Sequence, residues 1–222
     1  MPAPLSVIIP TLNAGHCLPA CLNALMEGVE AGLIAELIIS DGGSCDDTLA
    51  QADAWGAHIL SGAPSRGGQL RRGCAHARAA WFLVVHADTV LSPGWTTAAA
   101  AHLGTRKAGF FQLRFDRGGR IVAAWANVRA RLLGLPYGDQ GLLIPRALYS
   151  HVEGYDDIPL MEDVAMARAL KGQLVMLDAV AVTSAAKYRR QGWIRRGARN
   201  LWTLLRYFTG ADVATLAQQY RR

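Results

Sequence analysis

The sequence predicts an α/β fold, a Rossmann-like doubly wound and mostly parallel sheet with helices on both faces, and three observations carry that expectation. Short apolar runs alternate with segments of helical period through the first half of the chain. The runs are apolar throughout rather than at every second residue, so both faces need covering, and intervening helices make parallel pairing the natural arrangement. Each run also stops at a cluster of small polar residues, where sheets of this kind place their ligands.

Taken in order, the first strand is Leu5 to Ile9, followed by "PTLNAG" (10–15) and a helix from about His16. "AELIIS" (35–40) is the second strand; "SDGGSCDDT" (40–48) follows it and leads into a helix from about Asp46. "AHIL" (57–60) is the third, with "SGAPSRGGQ" (61–69) and a helix from about Gly68. "WFLVV" (81–85) is the fourth, ending in "HADT" (86–89) and a turn before Pro93. The second half is less regular, with a strand over 108–115, a helix over 120–133 and the loop "LPYGDQG" (135–141). A strand at 142–144, a helix from about Met161, one or two strands between 173 and 184, and a basic helix from about Gln191 to Phe208 complete it.

At 222 residues, 51% hydrophobic and 18% charged, the chain has globular composition and enough length for a sizeable core. Its four cysteines lack C-x-x-C spacing, which favours small buried thiols in a reducing compartment over zinc. No signal-like segment precedes "LSVIIP", and no apolar run reaches the roughly 20 residues of a membrane span, so a cytoplasmic protein, soluble or peripheral at a membrane, is expected. A net charge of +6 points to polyanionic company: nucleic acid, an anionic membrane surface or a phosphorylated small molecule. The distribution is uneven, since residues 187–208 hold seven Lys and Arg and residues 1–60 hold none.

The opening turn, Pro10-Thr11-Leu12-Asn13-Ala14-Gly15, is not the G-x-G-x-x-G of a dinucleotide site, and no G-x-x-x-x-G-K-[ST] occurs. Phosphate must be held by something other than a glycine nest, and a divalent cation on one carboxylate is the obvious substitute, with Asp88 placed to hold it. Plainer readings stand beside this one. Asp88 and Thr89 make a good turn, Pro10 and Asn13 end a strand, Asp41-Gly42-Gly43 is a turn in its own right, and Glu162-Asp163 suits a helix N-terminus.

The ordered set "SVIIPTLNAG", "IISDGGSCDDT", "SRGGQLRRG", "FLVVHADT", "GDQGLLIPR" and "PLMEDVAMARAL" resembles the family 2 glycosyltransferases of GT-A fold. The likeness is strongest to their short soluble branch found beside radical-SAM and selenium-related genes. The resemblance implies an inverting, metal-dependent transfer of a sugar from a nucleotide diphosphate sugar to an acceptor hydroxyl. It implies that Pro10, Thr11 and Asn13 face base and ribose, that Asp41 hydrogen-bonds the base, and that Arg66 and Gln69 lie near the nucleotide. His86-Ala87-Asp88 corresponds to the family's D-x-D with His in the first place, which leaves a Mn or Mg ion mainly to Asp88. Glu162-Asp163 matches the E-D pair whose aspartate is the base, and Asp139 and Gln140 fall in the acceptor-side loop. Arg189 and Arg190 lie where diphosphate would be neutralised, although the Q-x-x-R-W of processive members is absent.

One domain over 1–222 is expected, with a nucleotide-binding half (1–104), an acceptor-side half (105–185) and a basic helical tail (186–222). The tail's apolar residues either pack on the domain while its arginines reach water, or lie in a membrane plane beside a lipid-linked acceptor. Rival readings are a nucleotidyltransferase, whose glycine-rich opening loop is missing, and a non-catalytic nucleotide- or RNA-binding module. A nucleic-acid partner is not expected, because basic and aromatic residues interleave only in the tail.

Overall fold

The computed structural model describes residues 3–221; positions 1, 2 and 222 of the expected first half and tail lie outside the described residues. Strand β1 (Leu5–Thr11) pairs in parallel with β2 (Ile34–Asp41) and β4 (Trp81–Val84), and β2 pairs in parallel with β3 (His58–Ser61). Beyond β4 the sheet becomes mixed. β7 (Leu142–Pro145) is antiparallel to β4 and to β6 (Ala108–Phe115), β8 (Leu174–Thr183) is parallel to β6, and β5 (Thr89–Leu91) is antiparallel to β8. The order is β3-β2-β1-β4-β7-β6-β8-β5.

Helices cover both faces, as uniformly apolar strands require. On one side α1 (Leu18–Glu30), α2 (Thr48–Ala54) and α4 (Trp95–His102) bury Leu18, Leu22, Leu25, Ala52 and Trp95 against Leu5, Val7 and Ile9. On the other, α3 (Arg66–His76) and α7 (Glu162–Ala169) pack Leu70, Cys74 and Met166 against Ile8, Ile38 and Phe82. The remaining helices are α5 (Arg120–Leu133), α6 (Arg146–His151), α8 (Ala186–Gln191), α9 (Trp193–Phe208) and α10 (Val213–Arg221).

Strand β5 imposes curvature on the whole sheet. It begins five residues after β4 ends, yet β7, β6 and β8 lie between the two in the sheet. Five residues reach at most ~17 Å, whereas four strand spacings across a flat sheet span ~19 Å. The sheet therefore curls until its far edge returns to the end of β4, helped by a break in the β6/β8 register between Phe110 and Gln112.

The structure departs from the sequence expectation at some points and sharpens it at others. Residues 89–91, expected as a turn, form β5, because three residues are too few to show a period and their partner, β8, is about 90 residues away. The stretch 173–184, expected to hold one or two strands, is the single strand β8. The helix expected from about Gln191 to Phe208 is α9, which begins just after Gly192, whose φ of +83° no continuing helix allows; the short α8 precedes it and α10 follows. Finally, the tail's apolar residues divide: Trp193 and Leu204 pack on the domain, while Leu201, Trp202, Leu205 and Phe208 are exposed, as is Ile194. Among the thiols, Cys21 and Cys74 are buried as expected, Cys17 is half-buried and Cys45 is exposed. No helix among the described residues is long and apolar enough to cross a membrane.

Candidate active site

The loops after β1 and β2 form one hydrogen-bonded unit. Thr11 and Asp41 are in register at the strand ends, and the Asp41 carboxylate is fully buried. Its Oδ1 accepts from Thr11 Oγ1 at 2.8 Å and Ser44 Oγ at 2.6 Å, and its Oδ2 accepts from the Gly43 and Ser44 amides, both at 2.7 Å. Burial alone would raise this carboxyl, but the donors from Ser44, Thr11 and Gly43 outweigh it and hold the group below the usual carboxylate range. Asp41 thus shapes the 41–44 turn with both oxygens engaged, where sequence reasoning expects it to face a base.

Asn13 takes a left-handed φ of +50° and ties the same loops: its amide donates to Ser44 Oγ at 2.8 Å and its Oδ1 accepts from the Cys45 amide at 2.8 Å. Pro10 is half-buried at the end of β1. Gln69 is buried as well, and its Nε2 donates to the carbonyls of Thr11 at 2.7 Å and Ser40 at 2.9 Å. It clamps β1 to β2 from α3.

The ionisable residues gather around the end of β4. His86 and Asp88 are half-buried on either side of the buried Ala87. A Cβ on Gly138 would overlap the His86 imidazole, so the 3-10 turn over 138–140 closes directly onto that ring. The Gly138 amide also donates to Asp163 Oδ2 at 2.8 Å, and the Val164 amide donates to Oδ1 at 2.7 Å. Asp163 stands in the first turn of α7, where the helix dipole favours a negative charge. Burial, and next the Arg66 guanidinium, push the His86 imidazole down to about 4, so it is neutral at physiological pH and free to accept or ligate. His86, Gly138 and Asp163 line a mainly apolar cavity of about 30 Å³.

Three further groups share this field. Glu162 is 1% exposed; its Oε1 lies 3.5 Å from Arg66 Nε, and neither carboxylate oxygen has a hydrogen-bond partner among the described residues. Burial and then the negative charge of Asp163 push its carboxyl up, against the pull of Arg66. Arg66 itself is about half exposed at the start of α3. Asp139 is raised to about 6 by burial, then by Asp163 and Asp88, with Arg129 opposing. Charges from residues far apart in sequence therefore act on one another here.

Other expected residues are arranged differently. Gln140 is fully buried; its Nε2 donates to the Phe111 carbonyl at 3.1 Å and its Oε1 accepts from the Tyr137 amide at 3.3 Å. It braces the loop from inside and is not free for an acceptor hydroxyl. Arg189 and Arg190 are exposed on α8, while Lys187 of the same helix is the tail cation whose charge reaches both His86 and Cys17. Sequence reasoning passed over Lys187, although it is the first cation after the strand ending at Thr183. It also passed over Arg129, which lies 3.5 Å above the Tyr137 ring centre and donates from Nε to the Leu135 carbonyl at 3.1 Å.

A divalent ion would find a sparse but suitable set of donors. No cage of three or more His, Cys, Asp or Glu side chains occurs among the described residues. One half-buried carboxylate at a rigid strand end, with a neutral imidazole two residues away, suits Mg or Mn, which keep most positions for water and phosphate oxygens.

Against known proteins, the family described as Glycosyl transferase family 2 matches residues 6–155. A PGL/p-HBAD biosynthesis glycosyltransferase of Mycobacterium tuberculosis is 35% identical over 109 residues, covering 46% of this chain and 42% of that protein. The chain thus spans under half the length of the curated relatives it matches. Among solved structures, residues 1–349 of S. aureus TarS align with a TM-score of 0.63 at 15% identity, over 81% of this chain and 57% of that one. Glucosyl-3-phosphoglycerate synthase from Mycobacterium tuberculosis, in complex with Mn2+, UDP and glucosyl-3-phosphoglycerate, aligns with a TM-score of 0.56 at 21% identity, over 82% and 70%. These structures share the fold, and the family match takes in β1 to β4 and the loops at their ends. The chain belongs to glycosyl transferase family 2.

Proposed function

We propose that this protein transfers a sugar from a nucleotide diphosphate sugar to an acceptor hydroxyl with inversion at the anomeric carbon. The observation that carries the reading is the convergence of Asp88 and Asp163, 75 residues apart in sequence, on the same His86, Arg66 and Asp139 cluster. The donor lies along the ends of β1, β2 and β4, with its nucleotide against the loop unit that Asp41 and Asn13 hold together. UDP is the nucleotide to test first, since TarS has been solved with UDP-GlcNAc and with UDP.

The acceptor oxygen attacks the anomeric carbon, its bond to that carbon forms as the bond to the diphosphate oxygen breaks, and its proton passes to Asp163. Asp163 suits this role because Gly138 and Val164 fix its carboxylate while each oxygen keeps a lone pair. Asp88, with the His86 imidazole beside it, would hold a Mn or Mg ion. When bound, that ion supplies positive charge for the departing diphosphate. Arg66 and Lys187 add cationic charge on the same side.

The test incubates the protein with a panel of nucleotide sugars and manganese and follows slow donor hydrolysis. Asp163→Asn should slow hydrolysis by about 10²-fold or more, and Asp88→Asn should abolish the metal-dependent binding of UDP. Equal donor consumption by wild type and Asp163→Asn would remove Asp163 from the base role.

A further inference from the structure

Two exposed apolar stripes lie outside the site. On α5, Ile121 (86% exposed), Trp125, Val128 and Leu132 recur at spacings of four, three and four residues, which places them on one helix face. The opposite face of α5 carries Ala123, Ala126 and Ala130 into the protein. On α9, Ile194, Leu201, Trp202, Leu205 and Phe208 form a second stripe, while Thr203 and Leu204 face inward.

The two helices come together near both ends of α5. At the start of α9, the Trp193 ring lies so close to Gly119, the residue before α5, that a Cβ there would overlap it, and Trp193 packs with Val122, Ala123 and Ala126. Further along α9, Leu204 and Tyr207 join Leu135 and Tyr137, just beyond the other end of α5. Each of these two adjoining helices thus carries an exposed apolar stripe.

Charge selects the occupant. No Asp or Glu occurs in residues 117–138 or 179–211, which together hold eleven Lys and Arg. Arg195, Arg199 and Arg206 follow one edge of the α9 stripe at helical spacing, and Arg120 and Arg131 flank that of α5. Trp, Ile, Leu and Phe on one face with arginines at its borders is the pattern of helices that lie in a membrane interface and draw on anionic headgroups. A protein partner of comparable apolarity would need its own acidic border, whereas a bilayer with anionic lipids supplies both halves at once.

We propose that α5 and α9 together dock this protein on an anionic bilayer, with their apolar stripes among the headgroups and acyl-chain ends. The acceptor end of the site then lies beside the interface, because α5 leads directly into the Leu135–Gln140 loop that touches His86 and Asp163. Resting on the transferase reading, this sets the acceptor class as an amphiphile presenting its hydroxyl at headgroup level.

The experiment floats the whole protein with vesicles of phosphatidylcholine alone and of phosphatidylcholine with phosphatidylglycerol. Wild type should float with the anionic vesicles, much less with the neutral ones, and less again at high salt. Trp125→Glu and Trp202→Glu should each weaken partition by about tenfold or more. Both variants should keep the wild-type melting temperature and the wild-type rate of donor hydrolysis, which separates failure to dock from failure of the transferase reading. Flotation unchanged in either variant, equal binding to both vesicle types, or no flotation would overturn the proposal. So would sedimentation showing a wild-type dimer that the two variants convert to monomer, since a second copy would then cover the face.

Discussion

Asp41 carries more of the site's architecture than any other side chain. Replacing it with Ala leaves the Thr11 and Ser44 hydroxyls and the Gly43 and Ser44 amides without their acceptor. At this degree of burial the loss should be about 3 kcal/mol, read as a lower urea midpoint with little change in slope. Glu162 makes the opposite prediction. Its carboxyl is raised above the ordinary 4.5, so its contribution to stability is complete below that value and is lost as pH rises through the folded-state range toward about 7. Glu162→Gln should therefore melt several degrees above wild type at pH 8 and close to it at pH 4, as thermal unfolding across pH would show. That the 41–44 and 162–163 segments matter was legible from their spacing within ordered motifs. That Gln69 and Gln140 turn inward was not, because hydrogen-bond partners 29 to 58 residues distant in sequence decide it.

The 138–140 turn connects chemistry to loop geometry at the scale of elements. Gly138 touches the His86 ring and anchors Asp163, so Gly138→Ala should displace both and lower donor hydrolysis by about tenfold to 10²-fold. Thermal stability should fall far less than in Asp41→Ala, because no buried donor or acceptor is orphaned; the two effects can be compared in one melting series. Strands β1 to β4 were legible because each carries a short apolar run closed by Gly, Pro or Asp, and α5 was legible to the residue. β5 was not, because it owes its existence to a partner late in the chain. The exposed face of α5 escaped notice for a related reason: four apolar residues at helical spacing read as core until packing shows that alanines occupy the inner face.

For the molecule as a whole, ligand binding should register as stability. UDP with manganese, at about a hundredfold excess over its Kd, should stabilise the fold by about 2.7 kcal/mol, and a chelator should remove most of that gain. Asp88→Asn should show the smaller shift with and without metal, which scanning calorimetry can follow. The parallel half of the sheet was plain from sequence, but its curl was not, since it follows from the brevity of the 85–88 link rather than from any residue type. That link also orders events in time. During synthesis the segment bearing Asp88 leaves the ribosome long before residues 181–183, the edge that β5 must join. A nascent chain can shelter its nucleotide loops early, but it cannot finish the pocket until the last strand has emerged and swung round to receive it.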